Sequence, residues 1–344
     1  MLLRAIPCQL VPMGASVIGS GSWGTALALQ LARAGHSVSL WARNAEHVEE
    51  IRQKGENARY LQGCPLPESI TPTADLEEAV RAGDEMLVCA IPSHAVRDTL
   101  TRARPWVPPE AIVVSASKGI EEETARRMSE VMSEATGAGD RVAVLSGPSF
   151  AREVAEALPT ALTAAAGDMD HAEFVQHYFA SPMFRVYAVD DMVGVEIGGA
   201  VKNVIAIATG VSDGLGLGHN ARAALITRGL TEISRLAARM GGDPLTVSGL
   251  SGMGDLVLTC TGSLSRNRAV GLRLGQGESL ADILGDMQQV AEGVRNTVAI
   301  ADLASELGVE LPITTQMRAL LFENKTASEA MVDLMARQLK PEFS

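Results

Sequence analysis

Paired cysteines are missing from this 344-residue chain. Its four cysteines, Cys8, Cys64, Cys89 and Cys260, are scattered, with no CxxC among them. That excludes a disulfide framework and a four-cysteine zinc site, and it fits a reducing compartment, so a cytoplasmic location is expected. Positive charge is also short. Lys and Arg number 29 against 41 Asp and Glu, a net charge of −12 with pI ≈ 5.0. A generic nucleic-acid binder, or a protein adhering to an anionic membrane, would be basic. An acidic substrate stays open, through a local basic pocket. No apolar run approaches the ~18–20 residues of a membrane helix. The most apolar stretch, 193–211, carries Glu196, Lys202 and Asn203. Residues 1–12 hold two prolines and no clean apolar core, and read as a short tail rather than a signal peptide. There is no Gly-Lys pair for a Walker A loop, no GxSxG elbow and no HExxH. The six histidines lack metal-ligand spacing, so no metal is expected.

What is present is a regular alternation. Apolar β-type runs at 15–18, 37–41, 86–91, 112–115, 142–145, 161–166 and 185–189 predict strands. Helical stretches at 24–34, 48–54, 76–82, 95–103 and 122–135 separate most of them. This predicts an α/β fold with a Rossmann-like, doubly wound, mostly parallel sheet. After about 190 the β-type runs nearly vanish and helical periodicity takes over, at 193–210, 220–240, 266–275, 280–287, 295–307, 314–322 and 327–339. The length suits about two domains at ~150 residues each. The expected organisation is a tail at 1–12, a dinucleotide-binding domain at 13–189 and an all-helical substrate-binding domain at 190–344.

Five motifs carry chemistry. Gly19-Ser20-Gly21-Ser22-Trp23-Gly24 follows a strand and opens a helix. In a dinucleotide fingerprint Gly19 permits the tight turn, Gly21 lets a pyrophosphate approach the backbone and Gly24 allows close helix packing. Free N–H groups at that helix start favour phosphate. At the end of the second strand, where an NAD-preferring site usually has Asp or Glu, stands Arg43. Arginine suits a 2′-phosphate, so NADP(H) is expected to be preferred, with NAD(H) still usable; the bland alternative is a solvated surface arginine. Lys118 lies just past the strand at 112–115, where ligands of open α/β sheets bind. Ser146-Gly147-Pro148-Ser149 offers backbone N–H groups and a hydroxyl at the same edge, or simply a turn with Ser149 as a helix cap.

The fourth motif is Gly198-Gly199-Ala200-Val201-Lys202-Asn203. Both glycines share a helix face with Lys202 and cost ~1 kcal/mol each against alanine, so something bulky is expected against that face. The chain has 24 arginines and only five lysines. Where arginine is the default cation, a lysine in an apolar helix is a candidate acid/base, because its pKa falls on burial and arginine cannot give up a proton. A snorkelling structural lysine is the alternative. The fifth motif runs from Gly252 to Arg268 and holds Asp255, Ser265, Arg266 and Asn267. Arginine, hydroxyl, amide and a helix start together make a phosphate site, or else a solvated basic helix start.

With these pieces in order, the chain resembles the bacterial NAD(P)-dependent glycerol-3-phosphate dehydrogenases. The matching stretches are VIGSGSWGTALA, LPTALT, FRVY, GGAVKNVIAIATG, NARAALITRGLTE, GDLVLTCTGSLSRN, LGQG, VAEGVRNT and LPIT, spread from about residue 15 to 337. The resemblance implies reduction of dihydroxyacetone phosphate to sn-glycerol 3-phosphate with NADPH or NADH, feeding phospholipid synthesis. It implies cofactor contacts from Ser22, Trp23, Arg43, Ala151, Val290 and Glu292. Lys118 and Arg266 would touch both cofactor and substrate, while Gly147, Ser149, Asp255, Ser265 and Asn267 would hold substrate. Lys202 would exchange the proton. A phosphorylated small molecule is the expected partner, with neither nucleic acid nor membrane insertion, and a homodimer is open. Two other readings remain. One is a related two-domain dehydrogenase acting on a carboxylate substrate, of the 6-phosphogluconate type; the other is a non-catalytic NADP-sensing regulator.

Overall fold

The alternation of strand and helix begins at Gly14, and it builds one sheet. The structure is a computed structural model that describes residues 13–287, 291–339 and 341–342. The strands are β1 (Gly14–Ile18), β2 (Ser37–Trp41), β3 (Ile70–Thr73), β4 (Met86–Cys89), β5 (Ile112–Ser115), β6 (Val142–Ser146), β7 (Thr160–Ala166) and β8 (Phe184–Val189). Their order is β3-β2-β1-β4-β5-β6-β7-β8. β1 to β6 run parallel, β7 turns antiparallel to β6, and β8 is parallel to β7. The expected mostly parallel, doubly wound sheet is therefore present. Strands such as Met86–Cys89 and Ile112–Ser115 are apolar on both faces because helices cover both. In β4, Met86 and Val88 join one core and Leu87 and Cys89 the other.

The strand order reverses between β1 and β4, which opens a crevice at their carboxyl ends. The helix Ser22–Arg33 starts there. Gly19 has φ +120, and a Cβ on Gly24 would lie only 1.8 Å from the Gly19 carbonyl oxygen. A side chain on Gly24 would force the turn and the helix start apart, and one on Gly19 would press on Ala90 and Ile91 past β4.

All eight strands precede residue 190, and among the described residues only helices follow. The axis of that half is the helix Met192–Gly214, with residues 194–212 buried. By length and composition this helix could cross a membrane, but 89% of its most apolar window is buried inside the protein. It is a core helix, wrapped by Gly218–Arg239, Asp255–Thr261, Arg266–Gly275 and Glu292–Glu306. Gly210 and Gly271 seat the Arg266–Gly275 helix against it. A Cβ on Gly210 would lie 2.1 Å from the Arg268 carbonyl oxygen, and one on Gly271 2.0 Å from that of Ile207.

Local expectations differ from the structure in several places: the helices expected at 327–339 and 280–287 end at Met335 and Gly285, and the strand expected at 86–91 ends at Cys89. The helix expected at 122–135 spans only Met128–Thr136. The preceding segment is held by tertiary contacts that override its propensity: Arg97 donates to both oxygens of Glu121 at 2.7 and 2.8 Å, and Ala125 sits at φ 55. The strand β3 carries no prior signal, since Pro72 disguises it; as an edge strand it tolerates the missing N–H. The two halves are tied by a buried carboxylate. Glu196, on the long helix, accepts hydrogen bonds from the Ser129 N–H, the Ser129 hydroxyl and Arg127, each at 2.7 Å.

Candidate active site

The floor of the site is the carboxyl edge of β5 and β6, and its wall is the long helix. Lys118 leaves β5 three residues after Ser115 and reaches toward the helical half. Its Nζ lies 2.5 Å from Asp255 Oδ2 and 3.4 Å from the Gly147 carbonyl oxygen. Lys202 Nζ lies 2.5 Å from Asp255 Oδ1 and donates to the Thr259 hydroxyl at 2.9 Å. One carboxylate thus bridges two ammonium groups that are 137 and 53 residues away in sequence. The side chains of Asp255 and Lys202 are 2% and 7% exposed, and that of Lys118 is 18% exposed. Burial lowers the Lys202 ammonium to about 8; Asp255 opposes that shift and Lys118 adds to it.

Gly198 and Gly199 make this approach available, though not as the sequence suggests. The bulk expected against that face turns out to be the protein itself. A Cβ on Gly198 would lie 2.8 Å from the Ser251 carbonyl oxygen, and one on Gly199 3.1 Å from Ser146 Oγ and 3.7 Å from Lys118 Cγ. The glycines let the turn before Asp255 and the β5 edge close on the helix. Gly147 follows β6 at φ +142, where a side chain would press on Leu162. The Ser149 hydroxyl donates back to the Gly147 carbonyl at 3.0 Å, and Ala151 opens the short helix Ala151–Ala155.

A second group lies on the helical side. Ser265 caps the helix Arg266–Gly275, its hydroxyl accepting from the Arg268 N–H at 3.2 Å. Asn267 is engaged by the protein: its Nδ2 donates to Asn203 Oδ1 at 2.9 Å and its Oδ1 accepts from the Gly293 N–H at 3.0 Å. Arg268 turns away to Asp213, at 2.6 Å. Arg266 is open to solvent yet crowded by protein, and that crowding holds its pKa below the ordinary value, with Glu292 opposing. Glu292 starts the next helix. Its carboxyl is raised by burial, while Arg266, Lys118 and Lys202 pull it back. The charges of the two groups therefore sense one another.

The glycine turn stands at the far side of β4. Ser22 donates to the Tyr60 carbonyl at 2.8 Å, and the Trp23 indole N–H is buried with no hydrogen-bond partner among the described residues. Apart from its own chain neighbours, no described atom lies within 4 Å of a Cβ built on Gly21. Arg43 is exposed just past β2, near enough to His94 to depress its pKa together with Arg295, burial being the larger cause. Val290 lies outside the described residues. Thr259, and Asn203 of the Lys202 motif, make contacts to which the sequence assigns no role. Thr259 stands one helical turn after Asp255, a spacing that could have marked it.

Comparisons with known proteins give the family of both halves. Residues 14–172 match the family described as NAD-dependent glycerol-3-phosphate dehydrogenase N-terminus, and residues 191–332 its C-terminus. Glycerol-3-phosphate dehydrogenase [NAD(P)+] of Citrifermentans bemidjiense is 55% identical over 95% of this chain and 98% of its own length. A solved structure of glycerol-3-phosphate dehydrogenase from Coxiella burnetii superposes with a TM-score of 0.90 at 42% identity, covering 95% of this chain and 99% of that one. The yeast enzyme superposes with a TM-score of 0.81 at 26% identity, over 95% and 100% of the two chains. The chain belongs to the NAD-dependent glycerol-3-phosphate dehydrogenase family.

Proposed function

We propose that this protein reduces dihydroxyacetone phosphate to sn-glycerol 3-phosphate with NADPH or NADH, reversibly, and so supplies the backbone of phospholipids. The observation that carries the reading is the buried Lys202–Asp255–Lys118 cluster at the carboxyl edge of a dinucleotide-type sheet. A regulator that only senses cofactor has no use for a lysine held near neutral pKa in a closed site. The residues fit a dinucleotide. Gly21 is open on its ligand side, Gly19 and Gly24 hold the turn close to β4, and a helix start lies directly after the turn. Gly19, Gly21, Ser22, Trp23 and Gly24 would hold the pyrophosphate and nearby ribose, with Arg43 at a 2′-phosphate. Ala151, Val290 and Glu292, with Lys118 and Arg266, would meet the rest. When bound, the reduced nicotinamide supplies the hydride.

The chain's own residues do the remaining work. Arg266 and the N–H groups at the start of its helix anchor the substrate phosphate, with Ser265 and Asn267 fixing that helix start. Gly147 and Ser149 shape the β6 side of the substrate pocket. Lys202 gives its proton to the carbonyl oxygen as that oxygen becomes a hydroxyl, and takes it back in the reverse direction. Asp255 holds both ammonium groups in place, and Lys118 stabilises negative charge on the same oxygen. We place the domain division at 189/190, so that sheet half and helical half form the two walls of the cleft. A homodimer is the assembly to test by sedimentation. A cytoplasmic location suits the buried free thiols of Cys64, Cys89 and Cys260. NADPH oxidation followed with dihydroxyacetone phosphate, dihydroxyacetone and a 2-keto acid in parallel tests the reading. Turnover is expected for the phosphate ester far above the other two, and a preference for the keto acid would overturn it.

A further inference from the structure

Arg295 is an exposed cation on the helix Glu292–Glu306, in the helical half of the chain. Its chain neighbour Asn296 packs against the sheet half. A Cβ on Gly119, past β5, would lie 2.9 Å from the Asn296 amide and 3.1 Å from Ser93 Cβ, past β4. Residues 93, 119 and 296 thus meet, and the next residues to two of them, His94 and Arg295, are both exposed. The His94 imidazole feels Arg295 directly: burial lowers its pKa most, Arg295 adds to that, Glu122 opposes, and Arg43 lowers it further.

Arg43 comes to the same region from the other side of the glycine turn. β2 and β4 flank β1, with Trp41 and Cys89 both aligned on Ile18. Residues past β2 and past β4 therefore stand to either side of that turn. Two guanidinium groups and an imidazole, from three separate elements, surround one solvent-open region in a chain whose net charge is −12. The carboxylate that opposes them holds Arg295 loosely. Glu122 Oε1 lies 4.0 Å from Arg295 Nη1, and the two side chains are 48% and 53% exposed. Such a pair contributes little to stability, and a guanidinium exchanges it readily for a bidentate contact with phosphate. A dinucleotide that enters at the β1/β4 switch point with its adenosine end toward β2 brings a phosphate on the 2′-oxygen to this region.

We propose that Arg295 is a specificity-determining residue that leaves Glu122 to close on the 2′-phosphate of NADPH opposite Arg43, so that the helical half reads which dinucleotide the sheet half holds. The inference rests on the dinucleotide reading of the site. Values of kcat/KM for NADPH and NADH are measured with dihydroxyacetone phosphate for wild type, Arg295→Gln and Glu122→Gln. Dissociation constants are measured alongside for adenosine 2′,5′-bisphosphate and adenosine 5′-monophosphate, which differ only in the 2′-phosphate. Arg295→Gln is expected to lower kcat/KM for NADPH, and to weaken the bisphosphate, on the order of tenfold, the size of one lost hydrogen bond to a charged group. NADH and the monophosphate are expected to be unchanged. Glu122→Gln removes the competing carboxylate and is expected to strengthen the bisphosphate by ~2- to 5-fold, the range of an exposed ion pair. Unchanged NADPH values in Arg295→Gln, or equal losses with NADPH and NADH, overturn the assignment. A wild type that binds neither dinucleotide overturns the cofactor reading itself.

Discussion

Lys202 has a lowered pKa because burial outweighs the attraction of Asp255, and this gives the two directions of reaction opposite pH profiles. With Lys202 as the proposed proton donor, reduction would use the ammonium, so kcat should be flat below about 8 and fall above it. Oxidation needs the neutral amine, so kcat should rise through the same region. Parallel profiles in the two directions would contradict the assignment. Asp255 matters for the same electrostatic reason. Asp255→Asn leaves two ammonium groups together without a counter-charge, and breaking such a buried pair costs about 3–5 kcal/mol, to be read as a lower Tm and denaturation midpoint. Arg266→Ala should weaken the phosphorylated substrate by roughly 10- to 100-fold, the size of a lost charged hydrogen bond, and leave dihydroxyacetone almost untouched; equal losses would show that Arg266 does not anchor phosphate. Lys202 was legible because lysine is rare in a chain that favours arginine. The partnership of Asp255 with both lysines was not, because its members are far apart in sequence and meet only when the sheet edge closes on the long helix.

At the scale of elements, the site depends on how closely helices approach. The Arg266–Gly275 helix carries the residues proposed to anchor the phosphate, and Gly210 and Gly271 let it lie against the Met192–Gly214 helix. Gly271→Ala adds helix propensity worth up to ~1 kcal/mol but drives a methyl into the Ile207 carbonyl. Overpacking of this kind costs about 1–3 kcal/mol, so a net drop in stability is expected; an unchanged or raised Tm would mean the seam is looser than described. Strands buried on both faces, such as β4 and β5, were readable as continuous apolar runs. The edge strand β3 was hidden by Pro72, and the late start of the helix Met128–Thr136 was hidden because Glu121 is claimed by Arg97, a contact that no local pattern announces.

At the scale of the molecule, the Lys118–Asp255–Lys202 cluster lies at the seam between the sheet half and the helical half, with the proposed dinucleotide site on one side and the proposed phosphate anchor on the other. Cofactor choice belongs to the far end of that line. Arg43 is exposed past β2, and no carboxylate occupies 37–45. Arginine's fork matches phosphate oxygens, so NADPH should be favoured over NADH, and Arg43→Ala should raise KM for NADPH while leaving NADH nearly unchanged. Equal losses with both would remove Arg43 from 2′-phosphate recognition. The whole account turns on proton transfer by Lys202 at this seam. The most direct test is NADPH oxidation with dihydroxyacetone phosphate by wild type and folded Lys202→Ala side by side. Turnover by wild type, a kcat lowered ~10²–10⁴-fold in the variant and little change in NADPH affinity are predicted; near-normal kcat in Lys202→Ala would contradict it.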